Sequence, residues 1–95
     1  MRLEWTALAL EDRNAIFDYI MSDSPQAAVQ IDLRIEEHVD QLLHFPESGR
    51  LGRVEGTREL VILHTPYIVA YQVMSEVVLI LRVLHGAQRW PEEIK

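Results

Sequence analysis

Apolar residues recur along this chain with two different periods, and the change of period divides it. From Gly56 to Pro91 three apolar runs, Arg58 to Leu63, Tyr67 to Val73 and Val77 to Leu84, are separated by the breaks His64-Thr65-Pro66 and Met74-Ser75-Glu76. Runs of this length, rich in Val, Ile, Leu and Tyr and bounded by breakers, predict β-strands. Connections of about three residues force neighbouring strands to pair antiparallel, since a parallel crossover needs roughly a dozen or more. The second half is therefore expected to be a three-stranded antiparallel meander. Its last run is apolar on both alternating faces up to Arg82, which predicts a central strand covered on both sides.

Before Gly56 the period is helical. Met1, Leu3 and Trp5 alternate with Arg2 and Glu4 as a short edge strand. Thr6 is a candidate N-cap for a helix over Ala7 to Met21, whose expected stripe is Leu8, Ala15, Ile16, Tyr19 and Ile20. Ser24 caps a second helix with Pro25 in its first turn. Ala28, Ile31, Ile35, Val39 and Leu42 carry its stripe, and it ends before Pro46. Two helices with a tight joint make an αα-hairpin, the natural cover for the sheet. Pro46 to Gly56 is expected to be irregular, and Trp90 to bury in an ordered tail. The prediction is a single α+β domain over residues 1–95: an N-terminal strand, an αα-hairpin and the meander, with two helices on a four-stranded sheet. The sheet is mixed if the first strand lies beside the last.

Composition narrows the function classes. With 95 residues and no cysteine, neither a disulfide framework nor a thiolate metal site is available, which suits a cytoplasmic protein. No window approaches the ~18 apolar residues of a membrane span, so no membrane partner is expected. The formal charge of −6 argues against a protein that coats nucleic acid. The distribution is uneven, however. The first 40 residues are acid-rich, whereas Arg50, Arg53, Arg58, Arg82 and Arg89 lie in the second half, and arginine suits planar contacts to carboxylate or phosphate.

The four histidines, His38, His44, His64 and His85, show no ligand spacing, and no phosphate-binding or nucleophile motif is present, so no metal or cofactor is expected. What remains is a set of groups that could converge at the sheet edge: Arg50, Arg53, Arg58, Tyr71, Arg82 and His85. One arginine can stabilise a phosphoryl oxyanion, a second can hold a flanking phosphate, and a histidine can move protons. Those parts suffice for metal-free RNA cleavage by the 2′-hydroxyl. Against this, Arg82 and His85 are three apart, and a regular strand puts them on opposite faces unless it bulges near Leu84. A binding module and a metal-free nuclease both fit the residues.

The strings Gly56-Thr57-Arg58-Glu59-Leu60-Val61, Thr65-Pro66-Tyr67-Ile68-Val69-Ala70-Tyr71 and Leu81-Arg82-Val83-Leu84-His85-Gly86-Ala87-Gln88-Arg89-Trp90-Pro91 together resemble the RelE/ParE superfamily of bacterial toxins. So does Pro46-Glu47-Ser48-Gly49-Arg50, which is similar to that family's link from the second helix. The resemblance covers nearly the whole chain. It implies the toxin of a type II toxin–antitoxin pair, neutralised by a cognate antitoxin whose amphipathic helix covers the toxin's groove. The superfamily's branches differ in target: RelE-like members cut mRNA on the ribosome, and ParE-like members poison DNA gyrase. If the chain is a nuclease, the resemblance makes Arg58, His85 and Arg82 its catalytic groups. Arg50, Arg53, Tyr71 and Arg89 are expected to be binding residues whichever branch the chain follows. The acidic charge, the missing lysine cluster and Gly86 after His85 favour the gyrase-directed branch. The alternatives are the ribosome-dependent endoribonuclease and a degenerate toxin that only binds its antitoxin.

Overall fold

A computed structural model describes residues 1–92; Lys95 and the end of the expected domain lie outside the described residues. The elements follow in the order β1 (Arg2–Trp5), α1 (Ala7–Met21), α2 (Pro25–Asp40), β2 (Arg50–Leu51), β3 (Arg58–Val61), β4 (Tyr67–Met74) and β5 (Val77–His85), with a 3₁₀ turn at Gln41–Leu43. The sheet has five strands in the order β1-β5-β4-β3-β2, not four. The added strand is β2, which pairs Arg50 with Glu59 and Leu51 with Arg58 inside the segment expected to be irregular. At two residues it is too short to show a period, so the sequence pattern cannot reveal it.

β1 lies beside β5 and parallel to it, with Leu3 opposite Val78, so the helical hairpin is the crossover and the sheet is mixed. β4 occupies the centre of the sheet, and β5 is interior beside it rather than central.

Thr6 fixes how the helices sit. Its hydroxyl accepts from the Ala9 amide at 3.0 Å as the N-cap and donates to the Leu81 carbonyl at 2.9 Å, while its own amide donates to the Ile80 carbonyl at 3.0 Å. That anchor phases α1 so that Ala9 is fully buried with Ile16 and Ile20 packed beside it. Leu8 and Tyr19 of the expected stripe are instead 47% and 77% exposed. The α2 stripe holds: Ile35, Val39 and Leu42 join Val69, Tyr71, Val78 and Ile80 in the main core. Each fully buried aliphatic side chain there contributes about 1.5–3 kcal/mol.

Between β4 and β5 the register slips, Ala70 opposing Arg82 while Tyr71 opposes Ile80, so that Leu81 is the extra residue of a β-bulge. The bulge returns Val83 to the helix-covered face already lined by Val78 and Ile80. On the opposite face Ala70 and Leu81 form a second cluster, closed by Val54, Leu79 and Trp90. β5 is thus covered on both sides, one cover being helical and the other loop and tail.

Candidate functional site

The segment after α2 is bound to the sheet from two directions. On the helix-covered side the Tyr71 hydroxyl accepts from the Gly49 amide at 2.9 Å and donates to the Pro46 carbonyl at 2.8 Å. Burial pushes the Tyr71 phenol up, outweighing the hydrogen bond from Gly49 and the attraction of Arg58. Arg58, paired across β3–β4 with Tyr71, donates to the Gly49 carbonyl at 2.9 Å and the Glu47 carbonyl at 3.3 Å. The approach is so close that a Cβ on Gly49 would lie 2.6 Å from the Tyr71 hydroxyl and 2.8 Å from the Glu59 carbonyl oxygen.

Glu59 points to the opposite face, one residue on in β3. It is only 3% exposed, and its carboxylate collects five donations. Arg50 gives two, at 3.3 and 3.0 Å, and Arg53 gives three, from its amide at 2.8 Å and its guanidinium at 3.1 and 3.2 Å. Burial alone would raise the Glu59 carboxyl, but the hydrogen bonds from Arg53 and Arg50 overcome it and hold the group below the ordinary carboxylate range. Arg53 continues outward, its guanidinium carbon 3.7 Å from the centroid of the Trp90 ring. The Trp90 indole in turn donates to the His85 carbonyl at 3.4 Å.

At the other side of the sheet, β5 outlasts β1 and leaves an open edge. Asp12 of α1 covers it by accepting from the Val83 amide at 3.0 Å and from both arms of Arg82 at 2.7 and 2.9 Å. That pairing raises the Arg82 guanidinium above its already high ordinary value. His85 ends β5: its Nδ1 accepts from the Ala87 amide at 3.0 Å, so the ring proton sits on Nε2. The ring meets Tyr67 edge-on at 5.7 Å. Arg89 is exposed.

The expected convergence is therefore partial. Arg50, Arg53, Arg58 and Tyr71 gather around β2 and β3, although Glu59 divides them between the two faces. Arg82 and His85 stand elsewhere and apart from each other, because the bulge at Leu81 precedes both and leaves the strand between them regular. Arg58 and His85 do share the helix-covered face, but they flank Tyr71 and Tyr67 on opposite sides of β4. Four residues of rise and two strand spacings separate their backbones by roughly 16 Å. Tyr71 and Val69 of the core fill that face between them.

Sequence reasoning did not single out Glu59 or Asp12. For Glu59 the signal is a charged residue alternating onto a face otherwise lined by Val61 and, across β4, Ala70, with arginines a few residues before it. For Asp12 no local signal exists, since its partners are some 70 residues away. Among the described residues no group of three or more His, Cys, Asp or Glu is placed to hold a metal ion, and no helix is long and apolar enough to cross a membrane.

Fold and site together define a small α+β domain that buries both faces of a five-stranded mixed sheet and neutralises most of its arginines internally. The family described as ParE toxin of type II toxin-antitoxin system, parDE, matches residues 3–90. The chain belongs to this family, within the RelE/ParE superfamily, and is the toxin component of a type II system. It is similar to "Putative toxin Y4kP" of Sinorhizobium fredii, 44% identical over 91 residues, covering 96% of this chain and 94% of that one. It is also similar to "Toxin RelE2" of Caulobacter vibrioides, 43% identical over 84 residues, covering 88% and 93%. The structure described as "Chromosomal ParDE TA system from P. aeruginosa" superposes with a TM-score of 0.82 at 30% identity, covering 90% of this chain and 95% of that one. Family membership implies a cognate antitoxin.

Proposed function

We propose that this toxin arrests growth by acting on DNA gyrase and does not cleave RNA. The observation that carries this reading is the separation of Arg58 from His85, roughly 16 Å along and across the sheet, with core side chains between them. Metal-free cleavage needs an oxyanion stabiliser and a proton-transfer group on the same phosphate, within about 3 Å of the reacting atoms. Their remaining bonds support the same reading: Arg58 is spent on two loop carbonyls and Arg82 on Asp12, and His85 Nδ1 serves the turn after β5. Arg50 and Arg53, half exposed around Glu59, and the exposed Arg89 are left as contacts for a protein target.

Inducible expression in bacteria of the wild type, Arg58→Ala and His85→Ala tests it. Arrest with intact mRNA and an induced DNA-damage response, retained in His85→Ala, is expected. Arrest with cut mRNA abolished by either substitution establishes the nuclease instead. Absence of arrest from well-expressed protein establishes a degenerate toxin that only binds its antitoxin.

A further inference from the structure

Where α1 overhangs the ends of β4 and β5, the molecule has a cleft of about 460 Å³, within the size range of small-ligand sites. It is lined by Ala15, Ile16 and Tyr19 of the helix and by Pro66, Tyr67 and His85 at the strand ends. The cleft lies on the flank of α1 away from α2, whose side is marked by Arg13 bonded to Asp32. Its strand side is fixed from several directions. Tyr67 pairs with His85 across β4 and β5, their rings meet edge-on at 5.7 Å, and the Gly86 amide donates to the Pro66 carbonyl at 2.7 Å.

Two polar groups reach this cleft without partners. Tyr67 is only 7% exposed, yet its hydroxyl makes no hydrogen bond among the described residues. No fully buried side-chain nitrogen or oxygen there is left unpaired, so that oxygen reaches the surface, and the cleft is the surface that Tyr67 lines. Burial and the nearness of Tyr19 push the Tyr67 phenol up, so it keeps its proton and can donate. A nearly buried hydroxyl with no partner is costly, and packing alone would be served by phenylalanine at this position. The second group is His85 Nε2–H, which has no acceptor among the described residues, Nδ1 being taken by the Ala87 amide.

The charge pattern narrows the ligand further. None of the six lining residues is an acid, a lysine or an arginine, and Glu11 stands exposed one helical turn before Ala15. A phosphate-bearing ligand would meet a carboxylate and no cation. What fits is an uncharged ring with a polar edge: the ring covers Ala15, Ile16 and the 77% exposed Tyr19, and the edge pairs with the Tyr67 hydroxyl and the His85 N–H. A tyrosine side chain has both parts, since its hydroxyl donates and accepts. Phenylalanine leaves the two groups unpaired, and asparagine or glutamine leaves the Tyr19 ring uncovered.

We infer that this cleft is the anchor pocket for a tyrosine side chain presented by the protein on which the toxin acts. That the protein is gyrase rests on the reading above; the chemistry of the cleft does not. One aromatic ring seated in a fixed pocket can carry a large share of the affinity of a protein interface. Each of its hydrogen bonds is worth only several-fold, so overexpression hides the loss of one, and the effect is read on purified protein.

The test titrates the full chain with N-acetyl-tyrosinamide, N-acetyl-phenylalaninamide and adenosine, and follows backbone amide shifts by NMR. The tyrosine probe should bind with a Kd on the order of a millimolar, as suits a small fragment, shifting Ala15, Ile16, Tyr19 and His85. The phenylalanine probe should bind about threefold to tenfold more weakly, the scale of one or two hydrogen bonds. Tyr67→Phe should remove most of that preference, and Ala15→Phe, a substitution at an exposed helical position that fills the cleft, should abolish binding of both probes. Equal binding of the two probes, a preference unchanged in Tyr67→Phe, or shifts confined to the α2 side of α1 overturns the pocket. Tighter binding of adenosine than of the tyrosine probe overturns the assignment to a protein side chain. In a supercoiling reaction, the toxin concentration that half-inhibits DNA gyrase should rise about threefold to tenfold in Tyr67→Phe and further in Ala15→Phe. Unchanged inhibition by both variants overturns the assignment to gyrase. Failure of the gyrase reading itself registers separately, as a wild type that leaves supercoiling undisturbed, and the probe titration then decides the pocket alone.

Discussion

Arg53 stacks on Trp90, its guanidinium carbon 3.7 Å from the ring centroid, while its nitrogens hold the buried carboxylate of Glu59. One arginine thereby fastens the tail after β5 to the loop before β3, across the second face of the sheet. Trp90→Ala should destabilise the domain by about 2 kcal/mol, below the range for a fully buried tryptophan because this side chain is only partly buried. In a double-mutant cycle with Arg53→Ala, the coupling should be about 0.5–2 kcal/mol, the range of a partly desolvated cation–π contact. Chemical denaturation followed by far-UV circular dichroism reads both. Additivity of the two substitutions contradicts the contact.

Glu59 makes stability depend on acid in a definite direction. Its folded-state pKa lies below its ordinary value of 4.5. Its contribution is therefore fully present above that value and is lost as pH falls below it through the folded-state pKa. Glu59→Gln should lower the melting temperature at neutral pH, by the equivalent of about 2–3 kcal/mol. That is less than for a fully buried pair, because Arg50 and Arg53 keep part of their hydration. The loss of stability between pH 5 and 3 should also be shallower in Glu59→Gln than in wild type. Parallel pH profiles for the two proteins would place the acid sensitivity elsewhere.

The clamp on the segment after α2 depends on a missing side chain and a present hydroxyl. Tyr71→Phe removes the bonds to Gly49 and Pro46 and should cost about 1–3 kcal/mol. Gly49→Ala puts a methyl group against both the Tyr71 ring and the Glu59 carbonyl and should cost at least as much. Amide exchange should rise at Gly49 in both variants, while the β4–β5 pairing stays protected. Unchanged exchange at Gly49 in Tyr71→Phe would mean that Arg58 alone holds the segment.

In the two-residue connection between β4 and β5, Ser75 adopts φ 44°, a left-handed conformation that glycine takes without cost. Ser75→Gly should stabilise the domain by about 0.5–1 kcal/mol, enough to raise the melting temperature by a few degrees. A fall in melting temperature would show that the serine side chain contributes more than its backbone costs.

What the sequence made legible was whatever depends on neighbours. The apolar run from Tyr67 to Val73, the caps Thr6 and Ser24 and the stripe from Ala28 to Leu42 are local signals, and each element they predict is present. β2 was hidden because two residues carry no period. The phase of α1 was misread because it is set by Thr6 bonding to Leu81, a contact across 75 positions. The candidate site failed in the same way. The arginines and His85 were visible as residue types, but whether they meet depends on which side of β4 each strand lies and on a bulge at Leu81. Glu59 and Asp12, which decide what Arg50, Arg53 and Arg82 are free to do, are ordinary acids until the fold brings the partners together.

The gyrase proposal holds that Arg58 and His85 do not form a nuclease centre. Its most direct test adds the purified chain to a supercoiling reaction containing DNA gyrase, and separately to translating ribosomes carrying a defined mRNA. The prediction is inhibited supercoiling with accumulation of gyrase-linked broken DNA, and an mRNA that remains full length. Undisturbed supercoiling together with mRNA cut on the ribosome, lost in His85→Ala, contradicts it.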